Sequence, residues 1–287
     1  MTRRTVALLH AALAVAAASG LQAQHVRTLE SSRLLRDSAP VNVRLELGTG
    51  TLSVGASDAP YLYRSITRFG DAYTAPTSAW NPAQRTLHLT AGRRGATRAA
   101  RTDGDQPDDV AQDWRVQLTR QAPLQLTIDA ATADAMLDLT GLPLRRFALN
   151  TGATEATVRF DAPNPEPMSV FDADVGAGGL KLIGLGNAGA SELRIHGDVG
   201  DLALDLSGRW QRDLQVQVSS AIGGISITAP PTIGIELTSS GMFARESVDG
   251  AFTRRGDTWR SSGFDTAGVK VRILVKSLLG RVTLIQR

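Results

Sequence analysis

The most constraining feature of this chain is a skipped beat in its alternation. In NVRLELGTGTLSV the residues that belong inside are Val43, Leu45 and Leu47, then Gly50, Leu52 and Val54, so the inward face slips by one residue at Gly48. A strand sends successive side chains to opposite faces, so a slip of one residue requires a bend, a bulge or a tight turn. The same beat recurs in LTIDAATADAMLDLTG, RFALNTGATEATVRF, VFDADVGAGGLKLIG, ELRIHGDVGDLALDLSG, QVQVSSAIGGISITA and RILVKSLLGRVTLI. Aligned on one small residue each, these segments share the anchors Gly48, Ala133, Gly152, Gly176, Gly200, Gly223 and Gly280. Glycine suits such a place because it reaches positive φ at no steric cost. Asn150, Asp174 and Asp198 lie two residues ahead of an anchor, where their side chains can bond the backbone of a turn.

Each unit therefore reads as strand, corner, strand. From Ala133 to Gly223 the anchors are 19, 24, 24 and 23 residues apart, about one coil of a β-solenoid. Units of this kind cannot bury an apolar face alone, and stacking makes their core continuous. The fold class expected is all-β, a single-domain β-solenoid, with an antiparallel β-sandwich as the alternative that would produce the same alternation through hairpins. The stack predicts one inward column of Val158, Leu182, Leu206 and Ala229, and one outward column of Thr157, Lys181, Asp205 and Thr228. The β-repeat domain spans 41–287 after an N-terminal segment at 24–40, with capping elements near 235–265.

The N-terminus bounds the compartment. Arg3 and Arg4 precede VALLHAALAVAAASG, which closes on Leu21-Gln22-Ala23. That is the pattern of a secretory signal peptide over 1–23, and its apolar run of about 15 residues falls short of the roughly 20 that span a bilayer. The mature chain is expected to be exported, periplasmic or extracellular, with no transmembrane segment. There is no cysteine, which removes disulfides, thiolate metal sites and a lipidation cysteine. Cleavage takes away two of the 31 basic residues and none of the 28 acidic ones, leaving a formal charge near +1. With an aromatic content of 5%, the chain offers neither the charge nor the stacking surfaces of a nucleic-acid binder.

Candidate chemistry is sparse. Residues 93–113, RRGATRAARTDGDQPDDVAQD, are too polar to order themselves and are expected to form a mobile loop. Asp103, Asp105, Asp108 and Asp109 crowd four carboxylates there as a weak calcium candidate, without the glycine and terminal glutamate of an EF-hand. His25, His88 and His196 are the histidines beyond the signal, and none lies in an H-x-H, H-E-x-x-H or G-x-S-x-G arrangement. Lys181 and Asp205 could pair across adjacent coils as an exposed ion pair. Trp80, Trp114, Trp210 and Trp259 would stack sugars only if at least two shared an exposed face, and each falls where a cap is expected. GLGNAG at 184–189 has dinucleotide-loop spacing, yet it follows LKLI and runs into ASELRI, another alternating strand, so it reads as the link between coils.

GTGTLSV, DWRVQL, LDLTGLPLRRFALNTGATEATVRF, DVGAGGLKLIGLG, GDVGDLALDLSG and AIGGISITAP resemble the bacterial toast-rack and adhesin-like repeat domains, which also occur at the end of membrane-associated cell-wall stress regulators. The resemblance covers most of residues 41–237 and implies an extracytoplasmic β-repeat domain with no catalytic residues to carry over. The expected function is non-catalytic, in adhesion, envelope structure or protein contact, without cofactor. A β-helical carbohydrate-active enzyme or carbohydrate-binding module is the alternative.

Overall fold

The computed structural model describes residues 26–92, 112–241 and 243–287. The signal-peptide reading over 1–23 and the four aspartates Asp103, Asp105, Asp108 and Asp109 lie outside the described residues. The chain opens with β1 (Arg27–Leu34), β2 (Val41–Ser57), β3 (Tyr61–Phe69), β4 (Thr77–Asn81), β5 (Thr86–Ala91) and β6 (Asp113–Thr119). Its centre runs through β7 (Leu124–Asp138), β8 (Leu144–Ala153), β9 (Ala156–Arg159), β10 (Met168–Ala177), β11 (Leu180–Ile183) and a single helical turn, α1 (Leu185–Ala188). It continues with β12 (Ala190–Val199), β13 (Leu202–Asp205), β14 (Leu214–Ile222) and β15 (Ile225–Ala229). The last elements are β16 (Gly234–Ser240), β17 (Phe243–Asp249), β18 (Phe252–Arg255), β19 (Thr258–Ser261) and β20 (Lys270–Gln286).

The architecture is all-β. Strand–corner–strand units pair in parallel, arm on arm: β8, β10, β12 and β14 form the first ladder, and β9, β11, β13 and β15 the second. Parallel ladders between units are not the hairpins of an antiparallel sandwich, and that alternative does not describe this chain. Inward residues of both arms meet in one cluster that includes Leu149, Phe171, Ile195, Val218, Leu182, Leu204 and Ile227. Each such aliphatic or aromatic side chain contributes about 1.5–3 kcal/mol by leaving water.

Stacking order follows chain order only in the centre. At one end β2 lies between the β5/β6 unit and β7. At the other, β20 lies between the β14/β15 unit and the β16/β17 unit. Residues 235–249, expected as caps, are thus largely a further unit, and only the antiparallel hairpin β18–β19 closes that end by pairing with β16. The opposite end is closed by antiparallel β4 on β5 and by β1 on β3 on β6. Antiparallel closure protects edges that would otherwise recruit another chain. The expected mobile loop also ends earlier than 113: Gln112 is buried and its carbonyl accepts the Thr51 amide at 2.7 Å, and Asp113 opens β6.

The corner column corrects three of the anchors. The last inward residue before the bend and the first after it are five apart in β2, β7, β20 and the four units from β8/β9 to β14/β15, as in Leu47 to Leu52, Val175 to Leu180, Gly197 to Leu202 and Ser277 to Val282. In this register the column runs Gly50, Ala133, Thr154, Gly178, Gly200, Gly223 and Gly280, with φ of 121°, 118°, 141°, 147° and 154° at the five glycines in order. Gly48, Gly152 and Gly176 precede it by two residues in their units. A two-residue offset preserves period-2 alternation, so the inward pattern alone could not fix the register. The bend itself stays in the ladder: Gly178 N–H donates to Val199 O at 2.9 Å, Gly200 to Ile222 at 2.9 Å and Gly223 to Leu279 at 3.0 Å. A methyl group on Gly200 would overlap the Gly178 carbonyl oxygen, and one on Gly223 that of Gly200.

The same offset moves the columns. Val158, Leu182, Leu204, Ile227 and Leu284 are the inward column, in place of Leu206 and Ala229. Lys181 sits beside Thr157 and Ala203, so it does not meet Asp205, whose carboxylate instead bonds Ser207.

Candidate functional site

Three sides surround the core, and the outer face of the first ladder carries the richest chemistry. Outward positions repeat every second residue along each strand and align across strands, so the sequence writes polar rows along the stacking direction. One row close to the corner reads Glu46, Asp129, Asn150, Asp174, His196, Ser219 and Lys276. The next reads Arg44, Thr127, Ala148, Asp172, Arg194, Gln217 and Leu274.

Two shallow depressions lie over these rows. One, of about 520 Å³, is bordered by Arg146, Asp172, Arg194, His196, Ser219 and Lys276. The other, of about 440 Å³, is bordered by Arg44, Glu46, Asp129 and Gly152. Asn150 and Asp174 line both, so the two form one trough across successive strands. With strands about 4.8 Å apart, the row from Glu46 to Lys276 spans on the order of 29 Å.

Ion pairs hold one end of the trough. Arg44 contacts Glu46 and Asp129 at 2.9 Å each, His88 contacts Glu46 at 3.1 Å, and Asn150 Nδ2 donates to Asp129 at 2.7 Å. Burial pushes the Glu46 carboxyl up, but the charges of His88 and Arg44 outweigh it and hold the group below its ordinary value. Further along, Arg146 pairs with Asp172 at 2.9 Å, and Arg194 grips Glu192 through two bonds of 2.7 Å. The Glu192 hydrogen bond and charge raise the Arg194 guanidinium above its ordinary value. Among the described residues Asp174 and Lys276 make no ion pair.

His196 occupies the middle. Its Nδ1 is 2.8 Å from Ser219 Oγ, and its Nε2 is 3.3 Å from Asp198. A serine, an imidazole and a carboxylate in sequence are the parts of a nucleophilic relay. Such a relay also needs donors aimed at a developing oxyanion. Here β14 is paired on both sides, by β12 and β20, which occupies the backbone amides flanking Ser219. His196 and Asp198 are also more than half exposed, so water competes for both contacts.

The other candidates disperse. Trp114 is buried and donates to Ser65 Oγ at 2.7 Å. Trp80 packs on the core beneath Arg33 at one end. Trp259 bonds Glu246 at the other, and Trp210 donates to Leu206 O on the third side. No two share an exposed face. GLGNAG also lies on that third side: Gly184 and Gly189 are left-handed and flank α1, and Leu185, Gly186, Asn187 and Ala188 are all buried. Asn187 Nδ2 donates to Phe160 O at 2.9 Å and its Oδ1 accepts Arg209 N–H at 2.8 Å, tying the units on either side. Among the described residues no three His, Asp or Glu side chains converge as a metal site, and no helix is long and apolar enough to cross a membrane.

Comparison with known proteins adds one assignment. The family profile of the N-terminal domain of toast_rack, DUF2154, matches residues 22–183, more than half of the chain. No curated protein matches. Among solved structures, a candidate cell adhesion protein from Clostridium sporogenes shares 14% identity at a TM-score of 0.46, covering 91% of this chain and 100% of that one. A candidate adhesin from Parabacteroides merdae shares 10% at 0.40, covering 91% and 96%. A candidate lipid binding protein from Parabacteroides distasonis shares 10% at 0.36, with the same coverage. The family assignment rests on the profile match.

Proposed function

We propose that this chain, which belongs to the toast-rack family, is an exported, non-catalytic recognition scaffold that holds an extended polar polymer of the cell envelope along its trough. Its architecture is best described as a short β-solenoid, supported by parallel pairing of units 22 to 24 residues apart, as in Asp174 with His196 and Asn150 with Asp174. The signal-peptide pattern of residues 1–23 supports export. The observation that carries the binding role is the continuity of the trough across strands, with Asp174 and Lys276 lacking ion-pair partners within it. A rigid row of donors and acceptors at strand spacing suits a repeating chain, because each residue of the row meets an equivalent group.

The test is saturable binding of the purified chain to a panel of peptidoglycan fragments, anionic glycopolymers and neutral polysaccharides. Asp174→Ala and Lys276→Ala are exposed changes expected to leave the melting transition in place and weaken the bound polymer about tenfold each, the loss of one charged hydrogen bond. No binding across the panel, or binding indifferent to both changes, contradicts the proposal. A second reading is favoured by the Ser219–His196–Asp198 contacts, a hydrolytic surface site acting on the bound polymer. Turnover that disappears in Ser219→Ala while binding persists would replace the non-catalytic reading.

A further inference from the structure

Where β20 crosses the corner it leaves large aliphatic side chains in water. Leu278 is 52% exposed, Leu279 48%, Ile222 47% and Val199 50%. Val199, Ile222 and Leu279 are register partners on consecutive strands, so they form one ridge along the outside of the bend. Scattered apolar residues on a surface need no explanation, but an aligned ridge does.

Cations border the Leu279 end of that ridge. Lys276 lies two residues before Leu278, Arg281 two after Leu279, and Arg245 of β17 is the register partner of Arg281. Most surface arginines here are paired, including Arg27, Arg64, Arg115, Arg145 and Arg260. Lys276, Arg281 and Arg245 have no ion-pair partner among the described residues. Like charges directly opposite in a ladder are destabilising, so Arg245 beside Arg281 calls for an external anion. The carboxylates at the Val199 end are engaged: Asp198 by His196 at 3.3 Å, and Asp201 by the Gly224 amide at 2.8 Å. On β17, Glu246 is held by Trp259 and Arg254.

We infer that this corner docks on an anionic lipid bilayer, with Leu278, Leu279 and Ile222 entering the headgroup boundary and Lys276, Arg281 and Arg245 meeting lipid phosphates. Aliphatic side chains set beside unpaired cations are the combination that holds a protein in the interface, each element being weak alone. This goes beyond the polymer-binding role and uses a different surface, apart from Lys276, which borders both.

The experiment is co-sedimentation of the full chain with phosphatidylcholine vesicles and with vesicles that also contain phosphatidylglycerol, at low and high salt. Binding is expected on the anionic vesicles alone and to fall steeply with salt. Leu278→Ser combined with Leu279→Ser, and separately Arg281→Glu, are each expected to reduce binding at least tenfold while circular dichroism melting stays near that of the parent chain. Absence of binding to anionic vesicles at low salt, or binding unchanged in both variants, overturns the inference. So does a concentration-dependent dimer in ultracentrifugation that the double serine variant dissolves, because the ridge would then face a second copy of the chain.

Discussion

The centre of the molecule and its two ends solve the same packing problem in different ways. From β7 to β15 each unit lies on the one just before it in sequence, and its corner contacts are local, one unit apart. At the ends a strand distant in sequence is inserted: β2 between units made later in the chain, and β20 between β14/β15 and β16/β17. A stack built only in order leaves its last unit open until the next is added. Insertion closes both ends with strands that are buried on two sides, and it leaves antiparallel hairpins at the rims.

That contrast can be broken most severely at an end. Removing residues 270–287 takes out the strand that both β14/β15 and β16/β17 pair with, and loss of a single cooperative transition is expected in a thermal melt. In the centre, Gly200→Ala places a methyl group on the neighbouring Gly178 carbonyl in a left-handed backbone. Destabilisation of more than about 3 kcal/mol is expected from urea unfolding. Asn187→Ala removes the bridge between Phe160 O and Arg209 N–H on the third side, with an expected loss of about 1–3 kcal/mol, since the buried Phe160 carbonyl is orphaned while the exposed Arg209 turns its amide to water. Nucleotide affinity would stay absent in the parent and variant alike; a measured affinity for a dinucleotide in the parent would contradict the structural role of GLGNAG.

Smaller effects separate the ends from the centre by pH. At the β2 end, Glu46 is held below its ordinary value by His88 and Arg44 against the opposing effect of burial. A depressed carboxyl contributes stability that is full above the ordinary glutamate range and is lost as pH falls through the lowered value. Glu46→Gln should therefore be less stable than the parent at neutral pH, and the difference should begin to shrink as pH falls below about 4.5, the ordinary value, and close once pH passes below the lowered one. A difference that persists in acid would place the effect in packing instead. Smallest of all, Gly55→Ala meets nothing within 4 Å and should change stability by no more than about 0.5 kcal/mol.

The unequal legibility of the two regions has the same origin. Alternation with a skipped beat identified the repeating units, including the one around Gly280, because inward residues must be apolar wherever a unit stands in the stack. Register between units was out of reach, since a two-residue offset at Gly48, Gly152 and Gly176 leaves every inward position inward. For that reason the expected contact of Lys181 with Asp205 is not made: Lys181 lies beside Ala203. The units β5/β6 and β16/β17 do not show the skipped beat, because residues 93–111 interrupt the first and Ser239-Ser240-Gly241 blur the corner of the second. Of the candidate trough, His196 with Asp198 was visible as a sequence neighbourhood. Its contact with Ser219 follows from the 23-residue spacing of Gly200 and Gly223, a signal present in the sequence. The place of Lys276 beside Ser219 was not, because it depends on the insertion of β20.

That insertion is tested directly in a chain without cysteine. Gln217 of β14 and Leu274 of β20 are outward register partners, and Thr238 of β16 lies on the far side of Leu274. Adjacent strands place Cα atoms within disulfide reach, and strands two apart, at roughly 10 Å, do not. Under mild oxidation the Gln217→Cys, Leu274→Cys pair is expected to cross-link nearly completely and the Gln217→Cys, Thr238→Cys pair hardly at all. The reverse result would put β16 directly on β14, in chain order, and would remove both the inserted strand and the trough that runs across it.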